Sequence, residues 1–138
     1  MKQILILSLL ILSAFSVSVA QNSDKCESKF DSTLKRSIYI IVDKMPTFPD
    51  GKESMVTYIK GNLMYPEKEC IEGSVFISFI VEPDGQLSNK KIFKGITKKA
   101  DKAALDLVNA MPNWIPGSCN NEIVPTQMVI PIRFNLTE

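Results

Sequence analysis

Residues 73 to 82, Gly-Ser-Val-Phe-Ile-Ser-Phe-Ile-Val-Glu, constrain this chain more than any other stretch. Val75, Ile77, Phe79 and Val81 share one face, and Ser74, Phe76, Ser78, Ile80 and Glu82 share the other. A two-residue period of this kind predicts a β-strand. Pro83-Asp84-Gly85 follows, and it suits a tight turn, since proline presets φ and glycine permits positive φ. Gln86 to Lys94 then returns as a second strand. Lys90, Lys91 and Lys94 on it would discourage pairing of an exposed edge. The strand at 73–82 carries apolar residues on both faces, so the sheet needs a cover on one side and a partial cover on the other.

Two segments supply helices. Thr97 is placed to cap the second, in which Ala100, Ala103, Ala104, Leu107, Val108 and Met111 recur every three or four residues. Lys98, Lys99, Asp101, Lys102, Asp106 and Asn109 fall on its wet face, and Pro112 stops it. The first is expected over Gly51–Gly61, with Met55, Ile59 and Leu63 at helical spacing. Asp50 and Glu53 have capping-box spacing. Gly61-Asn62 suits the exit, and Pro66 forbids continuation. Before it, Met45-Pro46-Thr47-Phe48-Pro49 reads as an extended connector. Trp114, the single tryptophan, reads as a core plug rather than a ligand-stacking ring.

A last strand is expected over residues 123–136, with Val124, Thr126, Met128, Ile130, Ile132, Phe134 and Leu136 on one face. Pro125 and Pro131 in it have the same parity. In an antiparallel ladder, residues of one parity aim both main-chain groups at the same neighbour. Both missing N–H groups therefore fall on one side, and that side should be a free edge, because proline is tolerated only there. The order helix, hairpin, helix, strand predicts an α+β, two-layer domain over residues 45–138: a three-stranded antiparallel sheet with helices packed on one face.

The ends carry different signals. Lys2, the apolar run from Ile4 to Phe15, and Ser18-Val19-Ala20 have the layout of a secretory signal peptide over residues 1–20. The alternative is an uncleaved inner-membrane anchor, for which Ile4–Ala20 lies at the short limit. Residues 21–44 form an N-terminal segment, polar and flexible or loosely docked at first, then strand-like over Ile38–Val42. Cys26, Cys70 and Cys119 all follow the leader; export would allow any one of three disulfides, leaving one thiol over. With Lys2 removed, 15 basic and 15 acidic residues remain. That balance gives no electrostatic footprint for nucleic acid or anionic lipid. Histidine is absent from the chain, so a Ser-His or Cys-His nucleophile is excluded. No metal site, cofactor or enzymatic activity is expected.

Four phrases remain in fixed order: Tyr65-Pro66, Ile71-Glu72-Gly73, Pro83-Asp84-Gly85 and Met111-Pro112-Asn113-Trp114-Ile115-Pro116-Gly117. With the strands between them, the set resembles the C-terminal domain of the TonB family, over roughly Met45 to Leu136. The resemblance implies a non-enzymatic periplasmic domain that binds an extended peptide segment of an outer-membrane receptor or another envelope protein along its last strand, by β-augmentation. Carried over by place, the contacts would fall on Asn62, Leu63, Met64 and Tyr65, and on Gln127, Val129 and Arg133. It also implies a part in TonB-dependent transmembrane transport. The alternative is a stand-alone secreted interaction protein, a homodimer linked through the spare cysteine, with no energy-transducing role. Contact with the membrane is expected only if the N-terminal segment stays uncleaved.

Overall fold

A computed structural model describes residues 25–135; the expected leader at 1–20 lies outside them. Nine elements follow in order: β1 (Glu27–Asp31), β2 (Arg36–Ile41), α1 (Lys52–Asn62), β3 (Gly73–Val81), β4 (Leu87–Lys94), α2 (Lys98–Asn109), β5 (Ser118–Cys119), β6 (Glu122–Ile123) and β7 (Thr126–Phe134).

The β3–β4 hairpin forms as its alternation requires. Gly85 N–H donates to Glu82 O (2.8 Å), closing the turn, and Gly85 sits at φ 88°. Gly85 has a second duty. Its carbonyl accepts from Trp114 N–H (2.8 Å), and a Cβ there would lie 2.3 Å from Trp114 O. The turn and the tryptophan phrase are thus one contact, and only glycine permits both its backbone angle and its closeness.

β7 pairs antiparallel with β3 along its whole length, from Gly73↔Phe134 to Val81↔Thr126. This puts Val75, Ile77, Phe79 and Val81 beside Ile130, Ile132 and Phe134 on one face. Ala100, Ala104, Leu107 and Val108 of α2 close over them. Thr97 Oγ1 accepts from Ala100 N–H (3.1 Å), as a helix cap should. Trp114 completes the layer, 4% exposed, with its ring edge-to-face against Phe79 (5.2 Å) and Phe48 (5.9 Å).

Five expectations need correction. The main sheet has five strands, ordered β1-β2-β7-β3-β4, not three. Residues 27–35, read as loose, supply β1 and a turn that pairs it antiparallel with the strand-like stretch after it, the turn being held by Asp31 Oδ1 accepting from Thr33 and Leu34 N–H (2.8 and 2.9 Å). That strand eluded the apolar pattern because β1 has no buried residue at all. The capping box at Asp50 and Glu53 does not form. Gly51 takes the N-cap at φ 94° with no side-chain cap, since Asp50 is itself held at φ 63° in the turn that Gly51 N–H closes on Phe48 O (2.9 Å). α1 runs one residue further than expected, to Asn62. Lastly, the final strand is broken at Pro125. β6 pairs with β5 around Asn120 and Asn121, both at positive φ, and only then does β7 begin.

The N-terminal hairpin supplies the partial cover that the second face of β3 calls for. Arg36 of β2 reaches Glu82 in a two-pronged ion pair (Nη1–Oε2 2.8 Å), and Ser88 Oγ donates to the same carboxylate. Lys91 of β4 is close enough to Asp31 to help hold its carboxyl below the usual range, behind the hydrogen bond from Leu34. These links lay the hairpin across the face away from the helices, where Ser78 and Ile80 are 2% and 3% exposed. The disulfide joins Cys26, before β1, to Cys119 of β5, which settles the three-way choice.

The Arg36 guanidinium, with help from Ser88, holds the Glu82 carboxyl below its ordinary value of 4.5. A carboxyl lowered on folding adds stability above its unfolded pKa, and that stability drains away as pH falls through the folded value. The hairpin should therefore loosen below about pH 4.5. Glu82→Gln should reproduce this at neutral pH, for a loss of about 1 kcal/mol, since Arg36 is partly solvated. Hydrogen exchange of β2 amides against pH would check it; protection unchanged by pH in wild type, or by the substitution at pH 7, would reject the ion pair as the anchor.

Candidate functional site

The odd-numbered residues of β7 point their main-chain groups away from β3. Pro125 O accepts from Tyr39 N–H (2.9 Å) of β2, and Asn135 N–H donates to Tyr65 Oη (2.7 Å). Both partners lie on the side opposite β3, as the proline parity demands. β2 meets β7 there in a single parallel bridge, Tyr39↔Thr126, and then leaves. Beyond it, no strand among the described residues pairs with this side of β7. The free-edge expectation is thus correct for most of the strand and wrong at its first turn of the ladder, where β2 sits.

A groove of about 520 Å³ opens between this edge and α1. Val56, Ile59, Lys60 and Leu63 line it from the helix side, Tyr65 from the following segment, and Pro131, Arg133 and Asn135 from β7. The helix residues fall at i, i+3, i+4 and i+7, one stripe of an α-helix. No residue of α1 is fully buried: Val56 and Lys60 face the groove, while Met55, Tyr58, Ile59 and, just past the helix, Leu63 pack only in part against the core. Tyr58 and Phe48 hold the helix on its other side (rings 5.5 Å apart), and Tyr58 Oη donates to Leu107 O (3.2 Å). Burial in that contact raises the Tyr58 phenol pKa.

Tyr65 closes one end of the edge. Its ring stands on Phe134 (5.4 Å, interplanar 76°), and its hydroxyl takes the Asn135 N–H. Arg133 Nε donates to Asn135 Oδ1 (2.8 Å). Among the described residues, neither Arg133 nor Lys60 forms an ion pair. The groove is therefore apolar in its floor and positively charged at its rim.

Of the seven residues singled out from sequence, Leu63, Tyr65 and Arg133 line the groove. Gln127 and Val129 lie on the β7 edge, with Gln127 beside the β2 bridge and its Nε2 donating to Ser78 Oγ (3.3 Å). Asn62 and Met64 do not line it. Asn62 Nδ2 donates back to Tyr58 O (2.8 Å), and Met64 is 78% exposed. Val56, Ile59, Lys60, Pro131 and Asn135 were missed as lining residues. The helical stripe was visible in sequence, but which partner it faced was not.

Elsewhere, Cys26, Asp43 and Cys119 bring three metal-type ligand atoms within 4.8 Å of one another. The two sulfurs are bonded to each other, and Asp43 Oδ2 accepts from Asn120 N–H (2.8 Å). That cluster is explained by the disulfide and a turn. Lys99 and Lys102 of α2 pair with Glu69 and Asp106, so the lysine-rich helix face is a solvated one.

Residues 62–136 match the family described as Gram-negative bacterial TonB protein C-terminal. The chain belongs to the TonB C-terminal family. The match spans β3 to β7, α2 and the Tyr65-Pro66 segment, while the N-terminal hairpin and nearly all of α1 precede it. No curated protein and no solved structure matches the chain. TonB C-terminal domains are interaction domains of the bacterial envelope, linked to transport. No helix among the described residues is long and apolar enough to cross a membrane.

Proposed function

We propose that this TonB C-terminal domain binds an extended peptide segment of an outer-membrane receptor, or of another envelope protein, by adding it to the open edge of β7. The observation that carries the reading is the coincidence of an unpaired strand edge with an apolar groove beside it. Main-chain hydrogen bonds supply affinity in this mode, and pockets for alternate side chains supply selectivity. The groove would take apolar side chains from one face of the peptide, and Lys60 and Arg133 favour an acidic group at its rim. The domain needs no catalytic residue for this, and its place would be the periplasm, in TonB-dependent transport.

Titration with receptor N-terminal peptides, followed by amide chemical shifts, tests the reading. Shifts should concentrate at Gln127 to Arg133 and along the groove face of α1. Val129→Pro removes one main-chain donor from the edge, as Pro131 already does, and leaves the core untouched because Val129 is 41% exposed. It should weaken binding roughly two- to tenfold, the effect of one hydrogen bond. If β7 stays unmoved at millimolar peptide, edge binding is wrong.

One observation favours a second reading. Cys70 is exposed and outside the disulfide, so a covalent dimer would run through Cys70 and not through Cys26. A dimer on non-reducing gels that Cys70→Ser abolishes, with no peptide affinity, would support an interaction protein without transducing role.

A further inference from the structure

We infer that Tyr39 and Tyr65 are positioning residues that set the length and register of the docked strand; the inference rests on the peptide-docking reading above. The free side of β7 is bounded at both ends. In a parallel bridge, the two neighbours of the central residue on one strand serve the central residue of the other. The Tyr39↔Thr126 bridge therefore occupies Pro125, through the carbonyl that accepts from Tyr39 N–H, and Gln127, through its amide. At the far end, the Asn135 amide is taken by the Tyr65 hydroxyl. Pro131, between them, has no N–H to offer. The amides left for a partner on this side are those of Val129 and Arg133, with the carbonyls of Gln127, Val129, Pro131 and Arg133.

This is a window of seven residues, Gln127 to Arg133, roughly 20 Å long at ~3.4 Å per residue. It accepts more hydrogen bonds than it donates. A partner strand must therefore present its own N–H groups opposite all four carbonyls, whereas its carbonyl facing Pro131 finds no donor. A proline on the inward parity of the partner would be rejected, and one on the outward parity tolerated. A longer peptide gains nothing from main-chain pairing beyond either tyrosine. The upstream stop is held in place from a distance, by the Cys26–Cys119 disulfide and the Arg36–Glu82 pair at either end of the hairpin.

Hydrogen exchange on the full mature chain, with acetylated and amidated peptides of alternating serine and isoleucine bearing one aspartate, tests this. Peptides of seven, nine and eleven residues are compared. In the free protein, Gln127 and Asn135 amides should already exchange slowly, and Val129 and Arg133 fast. Peptide should slow only the latter two, and affinity should change less than about twofold from seven residues to eleven, because no hydrogen bond is added. Tyr65→Phe keeps the ring on Phe134 but frees the Asn135 amide. In that variant, Asn135 should exchange fast when free, be slowed by the nine-residue peptide, and gain it roughly two- to tenfold in affinity. Binding that slows Val129 and Arg133 while wild-type affinity climbs with length overturns the two stops and leaves the docking reading standing. So does fast exchange at Gln127 or Asn135 in the free protein. Peptides that slow none of these amides would overturn both.

Discussion

Trp114→Ala should destabilise the domain by about 3–5 kcal/mol, the range for deleting a large buried aromatic. Trp114 is 4% exposed and stands between Phe48, ahead of α1, and Phe79, near the end of β3. Its main chain is tied to the Gly85 turn, so the indole joins three parts of the chain that are far apart in sequence. Removing it leaves a cavity that a sheet on one side and two helices on the other cannot collapse to fill. The indole N–H has no hydrogen-bond partner among the described residues. Trp114→Phe therefore loses volume but also removes an unsatisfied buried donor, and should cost only about 1–2 kcal/mol. Urea denaturation of both variants measures this. Equal losses for Phe and Ala would mean that the ring's volume is not what matters.

The second large effect concerns the disulfide. Cys26 and Cys119 are 93 residues apart in sequence, so their bond closes most of the chain into a loop. Loop-closure entropy in the unfolded state then predicts a loss of about 4–5 kcal/mol for the Cys26→Ser/Cys119→Ser variant. The loss should appear with little change in the helix-side core, because the bond lies outside it, beside Val42, Val124 and Tyr39. Denaturation of the variant, and of wild type with and without a dithiol reductant, would measure it. Cys70→Ser is the control and should leave stability within about 0.5 kcal/mol, since Cys70 is exposed. A double variant as stable as wild type would show that the hairpin is not part of the cooperative unit. In that case the upstream boundary of the β7 edge would rest on the Arg36–Glu82 pair alone.

These two sites mark where local pattern ends and tertiary contact begins. Trp114 was legible as a core residue because a lone tryptophan between Met111 and Ile115 has few other places to go. The disulfide was not, because three cysteines without a CxxC spacing permit three pairings and nothing local separates them. The groove was half legible. Leu63, Tyr65 and Arg133 came from the place of the Tyr65-Pro66 phrase and of the last strand. Val56, Ile59 and Lys60 required knowing that α1 rests one side of its apolar stripe on the core and leaves the other open along the edge of β7.

The β3–β4 hairpin, α2 and the direction of the free edge follow from local pattern in the chain. Each of these depends on a period or a proline that acts within a few residues: alternation selects a strand, a cap selects a helix start, and a missing N–H selects a side. Long-range contact decided that the polar residues 27–31 become a strand and that the hairpin they form with β2 joins the main sheet. It also decided that β2 stops the edge at Thr126, and that Tyr65 stops it again at Asn135. Those outcomes rest on one bridge, one ion pair, one disulfide and one phenol hydroxyl, each between residues tens of positions apart. Such contacts leave no period in the chain, because their energy depends on where the partner has been brought and not on what stands beside it in sequence.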